Sequence, residues 1–295
     1  MNRPAVLYCA PGSGLGHLNR ALAVCLELRA LDIAAQIVTN SPFAMALARL
    51  ARFPVVGIQS QTWQADVQAF AGAVRPDLLV CDTFPRGMRG EWAQGFPAPA
   101  LYLARRLKAD SVSLLLRDPG WQEGLLQVIA AEDLADEHEA ALAVSGLPVV
   151  RLPGRIRLRP GLLPAQIPAE LERLLEGGRC SLVVHGGPVE EAAELIRRAA
   201  AHGDPAVVTP WGNGIAGAPG FEYYPAGNLM ERAAHVVTGA GYNAMADMMF
   251  QRDRHTAVAF PRRFDDQAAR LAAWQPAGRD GTRDAALAIA AALHR

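Results

Sequence analysis

The residues of this 295-residue chain that could do chemistry sit on two glycine-rich turns and at a few strand ends. The first turn, Pro11-Gly12-Ser13-Gly14-Leu15-Gly16-His17, ends in an imidazole, a group whose ordinary pKa of about 6.5 suits proton transfer near neutrality. The second, Gly239-Ala240-Gly241, stands between the apolar run Val236-Val237-Thr238 and a helix that opens near Tyr242. A helix start presents N–H groups without partners and the positive end of a dipole, which together suit a phosphate or diphosphate. A plain strand-to-helix turn accounts for the same residues equally well. For His17 the plain reading is a histidine that caps or steadies its turn.

These turns need elements to hold them. Ala5 to Ala10 reads as a buried strand, and Leu18, Leu22, Leu26 and Leu28 mark a helix that buries one face. Further strands are expected at Ala35 to Thr39, Pro54 to Ile58, Leu78 to Asp82, Ala100 to Leu103 and Gln127 to Ala131. Alternation of this kind predicts a parallel sheet with helices on both faces. Functional residues of such sheets collect at the carboxyl ends of strands, where His17, Asp82-Thr83-Phe84-Pro85 and Arg105-Arg106 fall. The spacing of Gly12, Gly14 and Gly16 is GxGxG, short of a dinucleotide fingerprint, and no Lys-Ser or Lys-Thr follows to make a P-loop.

From Leu147 to Pro168 the chain turns proline-rich and basic, with Arg151, Arg155, Arg157 and Arg159 expected on a solvated face. This segment is the expected connection between a domain over residues 1–155 and another over 156–295. The second half repeats the pattern, with strands at Ser181 to Val184, Ala206 to Thr209 and Phe221 to Tyr224, a Gly186-Gly187 turn, and a last Ala/Leu helix over Thr282 to His294. His185 reads as a hydrogen-bonded edge histidine, His235 and His255 as surface residues, and the five tryptophans, Trp211 among them, chiefly as core.

Composition narrows the classes. Half the residues are apolar (51%) and 20% charged, as in a globular protein that can bury a core. Lys plus Arg and Asp plus Glu both total 29, so no net field draws nucleic acid or an anionic membrane, and an anionic ligand must be gripped locally. The four widely spaced cysteines form no CxxC pair and read as buried thiols of a reducing compartment. With no signal-like or membrane-spanning stretch, a cytoplasmic protein is expected.

The combination of GSGLGHLNR (Gly12 to Arg20), PDLLVCDTFPRGMRGE (Pro76 to Glu91), TGAGYNAMADMM (from Thr238) and PRRFDDQAAR (from Pro261) resembles the GT-B glycosyltransferases related to the bacterial N-acetylglucosaminyltransferase of peptidoglycan synthesis. More narrowly it is similar to the glycosyltransferases with a GGYN loop. The resemblance implies a GT-B fold, two Rossmann-like α/β domains whose parallel sheets face across a cleft. The N-terminal domain would take the acceptor and the C-terminal one the nucleotide-sugar donor. It implies no cofactor beyond a UDP-sugar cosubstrate, no metal, and a small-molecule, glycan or lipid-linked acceptor, and it allows peripheral membrane contact through an apolar patch. By position, Gly14, Gly186 and Gly187 and the loop Gly239, Ala240, Gly241, Tyr242 and Asn243 would approach the donor phosphates. Tyr224 would lie at the base, Asp247 at the ribose in place of the family's Glu, and Asp266 and Gln267 at the sugar hydroxyls.

The activity so implied is an inverting hexosyl or N-acetylhexosaminyl transfer, which needs a base for the incoming hydroxyl and dipoles for the leaving diphosphate. His17, oriented by Asp82, is the expected base. Two other readings use the same residues. In a nucleotide-sugar hydrolase, water replaces the acceptor. In a non-catalytic nucleotide-sugar-binding subunit, Asp247 and Ala240 mark lost function. Asp265-Asp266 could chelate Mg²⁺, although acids at a helix start are more commonly solvated charges.

Overall fold

A computed structural model describes residues 3–58, 61–117, 120–163, 166–209, 217–274 and 279–294, and Trp211 lies outside them. The chain divides into two compact units, Met1–Arg157 with Gly278–Arg295, and Leu158–Ala277. The chain first crosses between the units after Arg157. The expectation that 156–295 forms one continuous domain is corrected, because the last helix belongs to the first unit by its contacts.

In unit 1, β1 (Val6–Cys9), α1 (Gly16–Ala30), β2 (Ala35–Thr39), α2 (Ala44–Ala51) and β3 (Val55–Gly57) wind in one direction. After α3 (Trp63–Val74), the strands β4 (Leu78–Asp82), β5 (Ala100–Ala104), β6 (Leu125–Ala130) and β7 (Val149–Arg151) extend the other way, with α4 (Ala109–Leu115) and α5 (Asp136–Ser145) between them. The sheet order is β3-β2-β1-β4-β5-β6-β7, parallel throughout. Runs such as Val-Leu-Tyr-Cys and Leu-Leu-Val-Cys-Asp are buried along their whole length, as a sheet covered on both faces requires. Winding reverses between β1 and β4, so their carboxyl ends border a gap that no crossover covers.

Unit 2 holds α6 (Ala169–Glu176), β8 (Cys180–Val184), α7 (Val189–Ala199), β9 (Asp204–Thr209) and β10 (Gly220–Glu222). It continues through α8 (Gly227–Met230), β11 (His235–Gly239), α9 (Tyr242–Asp247), β12 (His255–Val258) and α10 (Gln267–Ala272). Its parallel sheet has the order β10-β9-β8-β11-β12, with the reversal between β8 and β11. His235 and His255, expected at the surface, are half-buried: His235 Nε2 lies 2.9 Å from Thr256 Oγ1, and His255 Nε2 2.9 Å from Thr238 Oγ1. The two strands pair side by side, which brings each ring over its neighbour's threonine.

The returning helix, α11 (Thr282–Ala292), packs along α1, with Arg283 3.6 Å from Glu27. For this reason α1 is buried continuously from Leu18 to Leu28, where a single buried face was expected. The basic connector also differs from expectation. Val149–Arg151 is the seventh strand, and Arg155 and Arg157 are buried. Arg155 pairs with Glu132 at 2.9 Å, and the backbone of Arg157 exchanges two 3.0 Å hydrogen bonds with the Thr282 hydroxyl. A buried guanidinium needs such partners, which the sequence pattern does not reveal. A Cβ on Gly154 would lie 1.7 Å from the Arg279 carbonyl oxygen, so only glycine allows the returning chain to pass. Gly154→Ala is expected to lower the unfolding free energy by about 1–3 kcal/mol in urea titrations, by pushing the α11 segment off unit 1. An unchanged midpoint would refute that requirement.

Candidate functional site

Each switch point gathers a cluster of polar residues. In unit 1 the cluster is centred on Asp82, the last residue of β4 and wholly buried. Its Oδ1 accepts from Arg20 Nε at 3.2 Å, Arg20 Nη2 at 2.6 Å and the Thr83 hydroxyl at 2.8 Å. Its Oδ2 accepts from the Tyr8 hydroxyl at 3.3 Å and lies 3.6 Å from Nδ1 of His17. Burial alone would raise the carboxyl pKa, but the Arg20 guanidinium and His17 override it and hold Asp82 well below the usual carboxylate range. The carboxylate is thus a fixed negative charge beneath the imidazole.

His17 occupies the first turn of α1, its ring stacked on Phe84 with centroids 5.9 Å apart. Gly12 closes the other side, since a Cβ there would meet the imidazole Cδ2 at 3.1 Å, and φ of 139° at this residue favours glycine. Burial lowers the His17 pKa; Asp82 opposes the shift, while Arg20 and Arg105 add to it. Among the described residues Nδ1 has no hydrogen-bond partner, and Asp82 Oδ2 is the carboxylate atom it faces. The structure thus brings His17 and Asp82 together, at 3.6 Å. Gly14 is different: a Cβ there would meet nothing within 4 Å, so nothing in the fold demands glycine.

Thr83, the next residue, has φ of 71°, a left-handed backbone uncommon for a β-branched residue. Its carbonyl accepts from the Tyr102 hydroxyl at 3.0 Å, and its hydroxyl oxygen accepts from Arg20 Nη2 and Arg105 Nε, each at 3.1 Å. Behind Tyr102 stands His138, buried, with Nε2 3.3 Å from the phenol oxygen. The sequence pattern assigns no role to Arg20, Tyr102 or His138. Only Arg20 left a usable signal, because positions 17 and 20 are one turn apart on one face of α1.

The unit 2 cluster forms where β8, β11 and β12 end. Ala240 continues β11 by donating its N–H to Val258 at 2.8 Å, and its carbonyl accepts from buried Arg270 at 3.2 Å. Gln267 accepts from the Phe260 N–H at 3.0 Å, and its Nε2 would be 3.9 Å from a Cβ on Gly241. Gly239 faces Phe260, where a Cβ would touch the ring at 3.4 Å. The loop residues Gly239, Ala240 and Gly241 and the distant Gln267 are thus brought together. The backbone there is ordinary, however. Gly241 has φ −68° and ψ 152°, and neither loop glycine is left-handed, so other residues could adopt the same backbone. A Cβ at either glycine would make only ordinary contact with Phe260 or Gln267, so the packing does not demand glycine there.

Other expectations divide. His185 is buried, and its Nε2 donates to the Pro188 carbonyl at 2.8 Å, as an edge histidine should. A Cβ on Gly187 would meet that ring at 2.9 Å and Arg262 Nη2 at 3.0 Å, while Gly186 is exposed. Tyr224 precedes a cis proline, and its hydroxyl pKa is raised by burial and then by Asp247. Asp247 ends α9 with its Cγ 3.9 Å from where a Gly227 Cβ would stand, so Tyr224, Gly227 and Asp247 are neighbours. Tyr242 is buried in the first turn of α9, a helix of only six residues, and Asn243 is half-buried beside it. Asp265 and Asp266 are engaged within the chain: Asp265 binds Arg270 at 2.6 Å, and Asp266 caps α10 by accepting from Ala269 N–H at 2.9 Å. Among the described residues no group of His, Cys, Asp and Glu could hold a metal ion, and no helix is long and apolar enough to cross a membrane.

No protein-family model matches the chain, and no curated protein sequence matches it. Solved structures do. Spinosyn rhamnosyltransferase SpnG, in complex with spinosyn aglycone, is 16% identical over 98% of this chain and 96% of its own, with a TM-score of 0.59. Glycosyltransferase SsfS6 of Streptomyces sp. SF2575, in complex with thymidine diphosphate, is 14% identical over 87% and 82%, with a TM-score of 0.52. Arabidopsis thaliana UGT89C1, in complex with quercetin, is 13% identical over 100% and 90%, with a TM-score of 0.57. The likeness spans both units and defines the class: the chain has the GT-B glycosyltransferase fold, as its sequence motifs led one to expect. At such identities the fold is what is shared.

The buried histidine behind the site sets a pH dependence. Burial lowers the His138 pKa to about 4, so the folded protein keeps it neutral while the unfolded chain protonates it near 6.5. The unfolded state then binds more protons, and stability falls as pH drops from about 6.5 to about 4, by about 3 kcal/mol for this residue. Urea titrations across that range should show the loss, and His138→Gln should flatten its share of the slope. A slope identical in the variant would show that His138 is not the group concerned.

Proposed function

We propose that the protein is an inverting glycosyltransferase that moves a hexosyl or N-acetylhexosaminyl group from a UDP-sugar to a hydroxyl acceptor. Unit 2 holds the donor, and His17 of unit 1 takes the acceptor proton. The observation that carries this reading is the His17–Asp82 pair at the unit 1 switch point, where burial disfavours protonation of the imidazole above an ionised carboxylate. It stands in a chain whose fold glycosyltransferases share, and one of those neighbours was solved with a nucleoside diphosphate.

The chemistry follows from these groups. The acceptor O–H gives its proton to the imidazole as the oxygen bonds to the anomeric carbon, and the bond from that carbon to the diphosphate oxygen breaks. One direct displacement inverts the configuration, and UDP leaves. Backbone groups at Gly186, Gly187 and Gly239 to Asn243 face the diphosphate in this reading, and Gln267 contributes its amide N–H to a sugar hydroxyl. Asp247 takes the ribose and Tyr224 the base. Asp266, already capping α10, keeps one oxygen for the sugar. Neither the short α9 nor any single glycine would hold the diphosphate alone, and the reading relies on the loops acting together.

Thermal denaturation with UDP, GDP and TDP tests the donor. UDP at about 100 times its Kd should stabilise by roughly 2.7 kcal/mol, and TDP or GDP by less at equal concentration. Preferential stabilisation by TDP would overturn the choice of nucleotide. In turnover with a UDP-sugar panel, His17→Ala should lower kcat roughly 100- to 10,000-fold with donor affinity unchanged, and an unaltered kcat would remove His17 from the mechanism. Stoichiometric free sugar without any acceptor would instead establish hydrolysis. UDP binding with no turnover of any donor would establish a binding subunit.

A further inference from the structure

Arg20 has no role in the reaction as written, yet its side chain is among the largest wholly buried ones, 1% exposed. A buried ion pair is a poor source of stability, since apolar residues of the same volume often do as well. What this pair does supply is geometry. The guanidinium fork takes Oδ1 of Asp82 with two donors, Nε at 3.2 Å and Nη2 at 2.6 Å, and Nη2 also reaches the Thr83 hydroxyl at 3.1 Å. Thr83 in turn donates to the same Oδ1 at 2.8 Å, and the Tyr102 hydroxyl fixes its left-handed backbone. Rotation of the carboxylate is thereby blocked, which leaves Oδ2 beneath His17 Nδ1 at 3.6 Å.

We propose that Arg20 is a positioning residue for the proton acceptor: by gripping Oδ1 it turns Oδ2 of Asp82 toward His17 Nδ1, and its charge offsets the carboxylate's pull on a second proton. The groups that act on the imidazole are Asp82 at the end of β4, Arg20 on α1 and Arg105 after β5, with Tyr8 of β1 reaching Oδ2 of the same carboxylate. Asp82 alone would favour the imidazolium, which cannot accept a proton. Burial, with the two arginines adding to it, favours a neutral ring whose Nδ1–H points to Oδ2 and whose Nε2 keeps its lone pair. Lysine could replace the charge but lacks the planar fork.

The catalytic part of this role rests on the glycosyltransferase reading; the effect on His17 does not. Proton NMR of the seven histidines, with His17 assigned through His17→Gln, gives its titration midpoint, and ¹⁵N shifts give its tautomer. Arg20→Gln should move the midpoint, and the acidic limb of the kcat/KM profile, to higher pH. Its kcat should fall roughly tenfold or more with KM within about twofold. A folded Arg20→Gln protein with the wild-type midpoint would overturn the proposal. Should that variant not fold, Arg20→Lys decides: the midpoint stays near wild type while kcat falls several-fold, and a wild-type kcat would overturn the need for the fork. In the unaltered protein the Nδ1–H tautomer is expected, and a ring protonated at Nε2 instead would also overturn it. If no sugar donor is turned over, the midpoints and tautomer still settle what Arg20 does to His17, so failure of one reading is distinct from failure of the other.

Discussion

A parallel sheet that winds first one way and then the other must leave one place where two neighbouring strands send their chains to opposite sides. In unit 1 that place lies between β1 and β4, and in unit 2 between β8 and β11. No crossover helix can cover both strand ends there, so the loops that follow them stay open and close together. Several of the groups discussed above follow or end one of these four strands. His17 follows β1 and Asp82 ends β4, while His185 follows β8 and the Gly239 to Asn243 loop follows β11. Topology, more than any single contact, places the candidate site.

Burial then determines what those groups can do. Around Asp82 the surroundings are dry enough that a carboxylate must be paired, and the pairing with Arg20 is what keeps it charged. The same dryness disfavours a charged imidazole, so one physical condition separates an ionised acid from a neutral base only 3.6 Å away. In unit 2 the comparable task falls to Arg270, which joins Asp265 to the Ala240 carbonyl and so ties the α10 start to the glycine loop. Both clusters depend on an arginine buried behind the groups that face outward.

The return of the chain into unit 1 adds a second constraint. Gly154 lets the segment before Thr282 pass within backbone contact, and α11 covers the face of α1 that would otherwise meet solvent. The helix that carries His17 and Arg20 is thereby held between a sheet and another helix. Its position is part of the core, even though its first turn carries the candidate base.

Much of this could be read from residues alone. Buried strands announce themselves as unbroken apolar runs, the glycine turns mark where strands give way to helices, and the GSGLGH, GAGYN and DDQ motifs sufficed to expect a GT-B fold. Those signals are local, and local patterns survive in a one-dimensional string. Partnership does not. That Arg20 reaches Asp82 sixty-two residues on, that Arg155 and Arg157 are buried rather than solvated, and that Asp265 and Asp266 serve an arginine and a helix cap depend on which strands lie side by side. The final helix, expected in the second domain, joined the first because burying its apolar face against α1 is a long-range gain that no segment of the sequence encodes by itself.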